Sequence, residues 1–217
     1  MPSSGTQFPS YNEFSPTIQK FHQLVKNKSK LGSRSPLSDS HSSNTYYMRD
    51  EDRQQFFNHN LPQLIREVLP SGIPPAFDYR LLQTAYTKLL AVLLDIKRAN
   101  SIGCFLGETA FDDNHLPCED KVAFLRLVDD EDFFGEFYEN QWKFCAQELE
   151  PYVWRRNWEP KRILPFQTLE KLGEGAGGTT YLIRVDPAYN KLHCDQSRPS
   201  VRSCLHLLKY AGTNAMM

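Results

Sequence analysis

LPFQTLEKLGEGAGGTTYLIRV, Leu164 to Val185, holds the one spacing in this chain that a specific chemistry would demand. Within it Gly173, Gly175 and Gly178 form a G-x-G-x-x-G. Upstream, Phe166, Leu169 and Leu172 supply apolar positions in an extended run. Downstream, Thr179 to Val185 is dominated by β-branched, aromatic and aliphatic residues, which suit a pleated strand rather than a helix. The reading is strand, glycine turn, strand, and that order decides what the glycines can do.

Three phosphate-binding arrangements use glycines in this way, and the flanks separate them. A dinucleotide-binding loop requires a helix directly after the glycines, whose N-terminus faces the pyrophosphate, and an acidic residue about 20 positions further on. No helical pattern follows Gly178. A Walker loop ends in Gly-Lys-Ser/Thr, so that the lysine reaches the β- and γ-phosphates, whereas Gly178 is followed by Thr179. What is left is a glycine-rich hairpin that folds over a nucleotide as a flap, its missing side chains letting backbone N–H groups approach the phosphates. A plain hairpin turn would use the same glycines with no ligand at all.

The run Leu172-Gly173-Glu174-Gly175-Ala176-Gly177-Gly178-Thr179-Thr180 resembles the ATP-covering loop, G-x-G-x-x-G-x-V, that opens protein kinase domains of the eukaryotic Ser/Thr type. The resemblance implies that these residues contact the nucleotide, that ATP with Mg²⁺ is the cofactor of the complete family, and that the reaction is γ-phosphoryl transfer to a Ser or Thr hydroxyl. Two positions depart from the pattern. Gly177 stands where the family carries an aromatic at the flap tip, which loosens the flap. Thr180 stands where it carries the valine that packs on adenine, which keeps a β-branched wall.

The family continues with a V-A-I-K lysine on a third strand, then H-R-D-x-x-x-x-N and D-F-G, and none of these motifs is found. Lys191 lies near the expected distance but sits in Tyr189-Asn190-Lys191-Leu192, and reads as a solvated loop lysine. The resemblance therefore spans about Leu164 to Leu192. The expectation is the N-terminal portion of a kinase-like protein, truncated before the catalytic lobe and catalytically inactive. ATP binding is expected to be weak or absent, because a flap without a floor buries little of a nucleotide. The rival reading is a non-enzymatic helical interaction module with an incidental glycine hairpin.

Composition sets the outer limits. The chain has 217 residues, 40% of them hydrophobic and 24% charged, an ordinary globular balance. A net charge of -1 argues against a nucleic-acid or anionic-membrane coat, which calls for clustered positive charge. Cys104, Cys118, Cys145, Cys194 and Cys204 are an odd, widely spaced set without C-x-x-C, so neither a disulfide framework nor a zinc site is indicated. The opening residues lack both the cationic start and the apolar core of a secretory signal. An intracellular setting, cytoplasm or nucleus, is expected. The longest apolar stretch, Leu81 to Ile96, is interrupted by Gln83, Lys88 and Asp95 and is shorter than the ~20 residues that span a bilayer.

In chain order, residues 1–44 read as a disordered Ser/Pro-rich tail, with Ser15-Pro16 and Ser35-Pro36 as proline-directed phosphorylation motifs. Within that tail Ile18, Phe21, Leu24 and Val25 share one helical face and suit a short helix on a partner surface. Residues 45–160 read as a helical regulatory or interaction region, whose partner would be another protein. Asp50-Glu51-Asp52 marks a helix start, and Pro62 breaks or restarts the pattern. Asp78 caps the strongest helix, where Leu82, Tyr86, Leu89, Leu93 and Ile96 form a stripe widened by Leu81, Leu90 and Val92. Lys121 to Leu127 gives another helix. Asp129-Asp130-Glu131-Asp132 caps an aromatic helix, ended by Glu150-Pro151, rather than binding a divalent cation. Trp154, Arg155, Arg156 and Trp158 read as a docking linker in preference to a base-stacking surface. Residues 161–192 are the kinase-like hairpin, and 193–217 an unassigned, disordered tail in which His193, Cys194, Cys204 and His206 fit no common zinc spacing. The fold class is mainly α, ending in a β-hairpin.

Overall fold

The computed structural model describes residues 15–34, 45–69, 78–150, 161–175, 178–191 and 205–210. Among the described residues the fold is mainly α, as the sequence predicts, with two small antiparallel three-stranded sheets. It divides into two compact units, Met1–Ser29 with Met48–Cys145 and Lys30–Tyr47 with Ala146–Met217.

The first unit is helical, and at residues 16–28 it corrects the reading of 1–44 as a tail; residues 1–14 and 35–44 lie outside the described residues. α1 (Pro16–Lys28) has Ser15 as its N-cap and Pro16 at its first position, where a missing N–H costs nothing. Its apolar face does form, but it lies in this chain's own core rather than awaiting a partner. Ile18 and Phe21 are buried, and Phe21 meets the rings of Phe56, Phe57 and Phe144 at centroid distances of 5.4, 6.0 and 6.2 Å. The composition of residues 1–44 conceals this because the ring partners come from distant positions.

α2 (Asp50–Val68) runs straight through Pro62, so the expected break does not occur. Pro62 and Asn58, whose carbonyl loses its helical donor to the ring, are both exposed. Leu61, Leu64, Ile65 and Val68 meanwhile bury along the other side. Burial on one face outweighs one lost hydrogen bond on the wet face.

The strongest predicted helix is in fact two, α3 (Tyr79–Ala85) and α4 (Thr87–Asp95). Asp78 caps α3 through Arg80 N, as expected. The break falls at Tyr86 (φ -129, ψ 18), because a second cap arrives from elsewhere. The Asp113 carboxylate accepts from Thr87 N at 3.1 Å and Lys88 N at 2.7 Å. The same carboxylate pairs with Arg53, which is almost wholly buried. Leu89 through Leu94 are all 0% exposed, so α4 is wrapped on every side, as a helix apolar all round must be. Leu81, expected in the stripe, is instead exposed.

α5 (Lys121–Val128) and α6 (Glu131–Asn140) follow. The four consecutive acids divide their work between these helices. Asp129, at φ 51, closes α5 in the left-handed conformation, and the Asp130 carboxylate accepts from Phe133 N at 2.9 Å. Phe124 sits among Phe105, Phe133 and Phe137 at 5.1–5.3 Å, a cluster that anchors this half of the core. The helical segment ends in a 3₁₀ turn at Gln141–Phe144, ahead of Glu150-Pro151 where the sequence predicts the end. Buried Gln141 brackets Cys118, accepting from its N–H at 2.7 Å and donating to its carbonyl at 2.9 Å.

The second unit is built on strands. β1 (Lys30–Arg34), also drawn from the expected tail, lies between β2 (Thr45–Tyr47) and β3 (Ile163–Leu164). A Cβ on Gly32 would stand 2.8 Å from Ile163 Cγ2 and 2.9 Å from the Leu164 carbonyl oxygen, so glycine is required there by packing. β4 (Phe166–Gly175), β5 (Gly178–Val185) and β6 (Leu205–Tyr210) form the other sheet, with β5 central. The expectation of disorder after residue 192 is thus corrected at Leu205–Tyr210. Leu149, Leu164, Phe166, Ile183 and Val185 make a compact core for this unit. The Tyr47 hydroxyl donates to Asp186 at 2.7 Å, tying β2 to the end of β5.

Candidate functional site

The glycine hairpin is where the sequence places it. β4 and β5 pair from Phe166↔Val185 to Gly175↔Gly178 at the tip, with Glu174↔Thr179 and Gly173↔Thr180 between. Ala176 and Gly177 lie outside the described residues. A register irregularity between Lys171 and Gly173 leaves Leu172 without an opposite partner, and its side chain is 48% exposed. A bulge of this kind bends a strand and re-aims the adjacent side chain.

Gly173 differs from Gly32 in one informative respect. A Cβ built on it meets nothing within 4 Å, and its φ lies outside the region that favours glycine. Among the described residues, neither packing nor backbone requires glycine at 173, and the space over it is open. Beside it, Lys171 Nζ donates to Glu174 at 2.5 Å. This hydrogen bond, with the charge behind it, holds the Glu174 carboxyl below its ordinary value and raises the Lys171 ammonium. Both side chains are exposed, so the pair neutralises the flank of the hairpin without adding much stability.

The two faces of the sheet are distinguished along β5. Ile183 and Val185 point into the core with Tyr181 packed against them, while Arg184 is exposed. Alternation therefore puts Thr180, Leu182 and Arg184 on the outer face. β6 pairs with β5 through Thr180↔Lys209, Leu182↔Leu207 and Ile183↔His206. By register Lys209 stands directly opposite Thr180.

Sequence reading missed Lys209. Its signal was the six-residue run Leu205-His206-Leu207-Leu208-Lys209-Tyr210, obscured by the unpatterned residues before it. Lys191, the position weighed instead, lies in an extended segment whose N–H donates to the Leu149 carbonyl, and its exposed ammonium stands 3.7 Å from Glu148. It is not on the hairpin sheet.

Of the other candidates, His206 stands on β6 opposite Ile183. Trp154, Arg155, Arg156, Trp158, His193, Cys194 and Cys204 lie outside the described residues. Among the described residues no group of three or more His, Cys, Asp or Glu is placed to hold a metal ion, and no helix is long and apolar enough to cross a membrane.

Cys104, Cys118 and Cys145 are free thiols. Burial raises all three, and at Cys145 it outweighs nearby Lys88 and Arg53 and pushes the thiol up to about 12. A thiol held protonated is a poor nucleophile. The folded state keeps its proton while the unfolded thiol ionises at about its ordinary 9.0. The stabilising contribution is therefore complete below pH 9 and lost progressively as pH rises to about 12, at a limiting slope of about 1.4 kcal/mol per unit. Cys145→Ala is expected to flatten this alkaline decline in urea-unfolding titrations. An unchanged slope would refute the assignment.

Comparison of the chain with protein-family profiles, with characterised proteins and with solved structures finds no match.

Proposed function

We propose that the β4–β5–β6 sheet is the nucleotide-facing sheet of a protein-kinase-like lobe of the Ser/Thr type, with its ATP-covering flap at Leu172 to Thr180. The helical unit is then its regulatory or interaction region. The pairing of Thr180 with Lys209 carries this reading. In the kinase arrangement a third-strand lysine reaches the α- and β-phosphates under the glycine loop, and Lys209 holds that register. Leu207-Leu208-Lys209 then stands in the place of the last three residues of V-A-I-K, with a larger Leu207 in place of alanine. The open space at Gly173 supports the same reading, because a flap glycine is needed by the phosphates and not by the fold.

Phosphoryl transfer is not assigned to these 217 residues. Transfer depends on an aspartate that accepts the hydroxyl proton and on metal ligands from H-R-D-x-x-x-x-N and D-F-G, which the sequence does not contain. ATP with Mg²⁺ is the expected ligand, held weakly by a flap and one lysine.

An acyl-phosphate derivative of ATP, which transfers its acyl group to a lysine amine beside the phosphates, tests the proposal. Lys209 is expected to be acylated in preference to Lys171 and Lys191, and saturating MgATP to suppress the labelling. Gly173→Val is expected to abolish that protection while changing stability by less than about 0.5 kcal/mol. Labelling spread evenly over the lysines, or indifferent to MgATP, would leave the hairpin an ordinary turn on a helical interaction protein.

A further inference from the structure

Ser15 precedes a proline, and its backbone is extended at φ -57, ψ 127, the conformation that a following proline favours. Its hydroxyl accepts from Ile18 N at 3.3 Å as the cap of α1 and donates to Glu67 Oε2 near the end of α2. Thr17 Oγ1 donates to the other oxygen of the same carboxylate at 2.9 Å, and Gln63 Nε2 to that oxygen at 2.9 Å. Ser15 and Thr17 are 3% and 4% exposed. Two hydroxyls at the start of α1 and one carboxylate of α2 thus form a latch between elements 52 positions apart.

We propose that Ser15 is a phosphorylation site for a proline-directed protein kinase, and that its modification opens this latch. In the step, Ser15 Oγ gives up its proton to the kinase's base and bonds to the γ-phosphorus of ATP. The bond from that phosphorus to the bridging oxygen breaks, and ADP leaves. A hydroxyl that donated to Glu67 becomes an ester carrying about -1.5 to -2 charges and no donor.

Three consequences act in one direction. The hydrogen bond to Glu67 is lost. The phosphate faces a carboxylate at a part-buried contact, where like charges repel more strongly than in open water. A serine only 3% exposed also leaves no room for a phosphoryl group. The N-terminus of α1 opposes these effects, since a helix end carries about half a positive charge. Half a charge does not offset a full carboxylate in contact, so phosphoserine is compatible with α1 as a helix and incompatible with α1 seated on Glu67.

The order of events is set by burial. The kinase acts on molecules in which the first turn of α1 has opened, and the ester then prevents reclosure. Phosphorylation becomes a ratchet on the position of α1.

The test uses the full chain, a recombinant proline-directed kinase and MgATP, with sites mapped by mass spectrometry. Phosphate is expected on Ser15, at a higher rate in Glu67→Gln, where the latch is weaker. Amide exchange over the first turns of α1 is expected to rise about tenfold or more on phosphorylation, as local opening becomes easier. Ser15→Glu should reproduce the rise, and Glu67→Lys should reverse it in the double variant by restoring opposite charge. Absence of phosphate at Ser15 overturns the proposal. So does a phosphorylated chain with unchanged exchange, or a Ser15→Glu/Glu67→Lys variant that exchanges as fast as Ser15→Glu alone.

Discussion

Phe21→Ala is expected to destabilise the helical unit by about 3–5 kcal/mol, a large fraction of what holds a domain of this size folded. Phe21 is 0% exposed, and three other rings, from α2 and the 3₁₀ turn at Gln141–Phe144, meet it within 6.2 Å. Rigid aromatic walls collapse poorly onto a removed side chain, so most of the cavity would persist. A helix held in reserve for a partner predicts the opposite, a change within about 0.5 kcal/mol. Urea unfolding of the variant beside wild type decides between them. A loss below about 1 kcal/mol would show that α1 is not part of this core.

Asp113→Ala ranks beside it. The Asp113 carboxylate accepts from the Thr87 hydroxyl at 2.7 Å, from Thr87 N and Lys88 N at 3.1 and 2.7 Å, and from Arg53 Nη1 at 3.3 Å. Arg53 is 2% exposed and also donates to Thr87 and to Asp50. Removing the carboxylate uncaps α4 and leaves the buried guanidinium with Asp50, which is half exposed, as its carboxylate partner, so about 3–5 kcal/mol is expected to be lost. The diagnostic comparison is Arg53→Met with Asp113→Leu. Because desolvating the pair costs nearly as much as its attraction returns, the double variant is expected to recover much of the loss. A double variant as unstable as the two single losses summed would mean that the charges act independently.

These two sites also show which parts of the fold could be seen in the sequence. The hairpin was legible because everything that makes it is local: a β-branched run, glycines at its turn, apolar residues at alternate positions before it. The same is true of α5 and α6, where Asp130 caps its own helix. α1 reads as tail in the sequence because Ser, Pro and Lys surround its apolar face, while the aromatic residues that cover it come from other elements. The break at Tyr86 was invisible for the same reason: its cap, Asp113, belongs to another segment. Gly32 looked like tail composition, and only the approach of Ile163 makes it necessary. In the candidate site, the flap residues could be read directly. Lys209 could not, because its meaning lies in its register against Thr180, and register is a property of pairing rather than of the run that carries the residue.

The strand unit takes its pieces from both sides of the helical one in chain order. Ser33 Oγ donates to the Phe166 carbonyl across 133 positions, so β1 has no partner in β3 until nearly the whole helical unit has left the ribosome. At about 5–20 residues per second, that is a wait on the order of ten seconds, far longer than a helix or hairpin needs to form. The helical unit therefore has time to fold while β1 is paired with β2 alone, and the strand unit closes last. Any defect that slows this late closure leaves an open strand edge on a nascent chain, where pairing with a neighbouring copy competes with its proper mate.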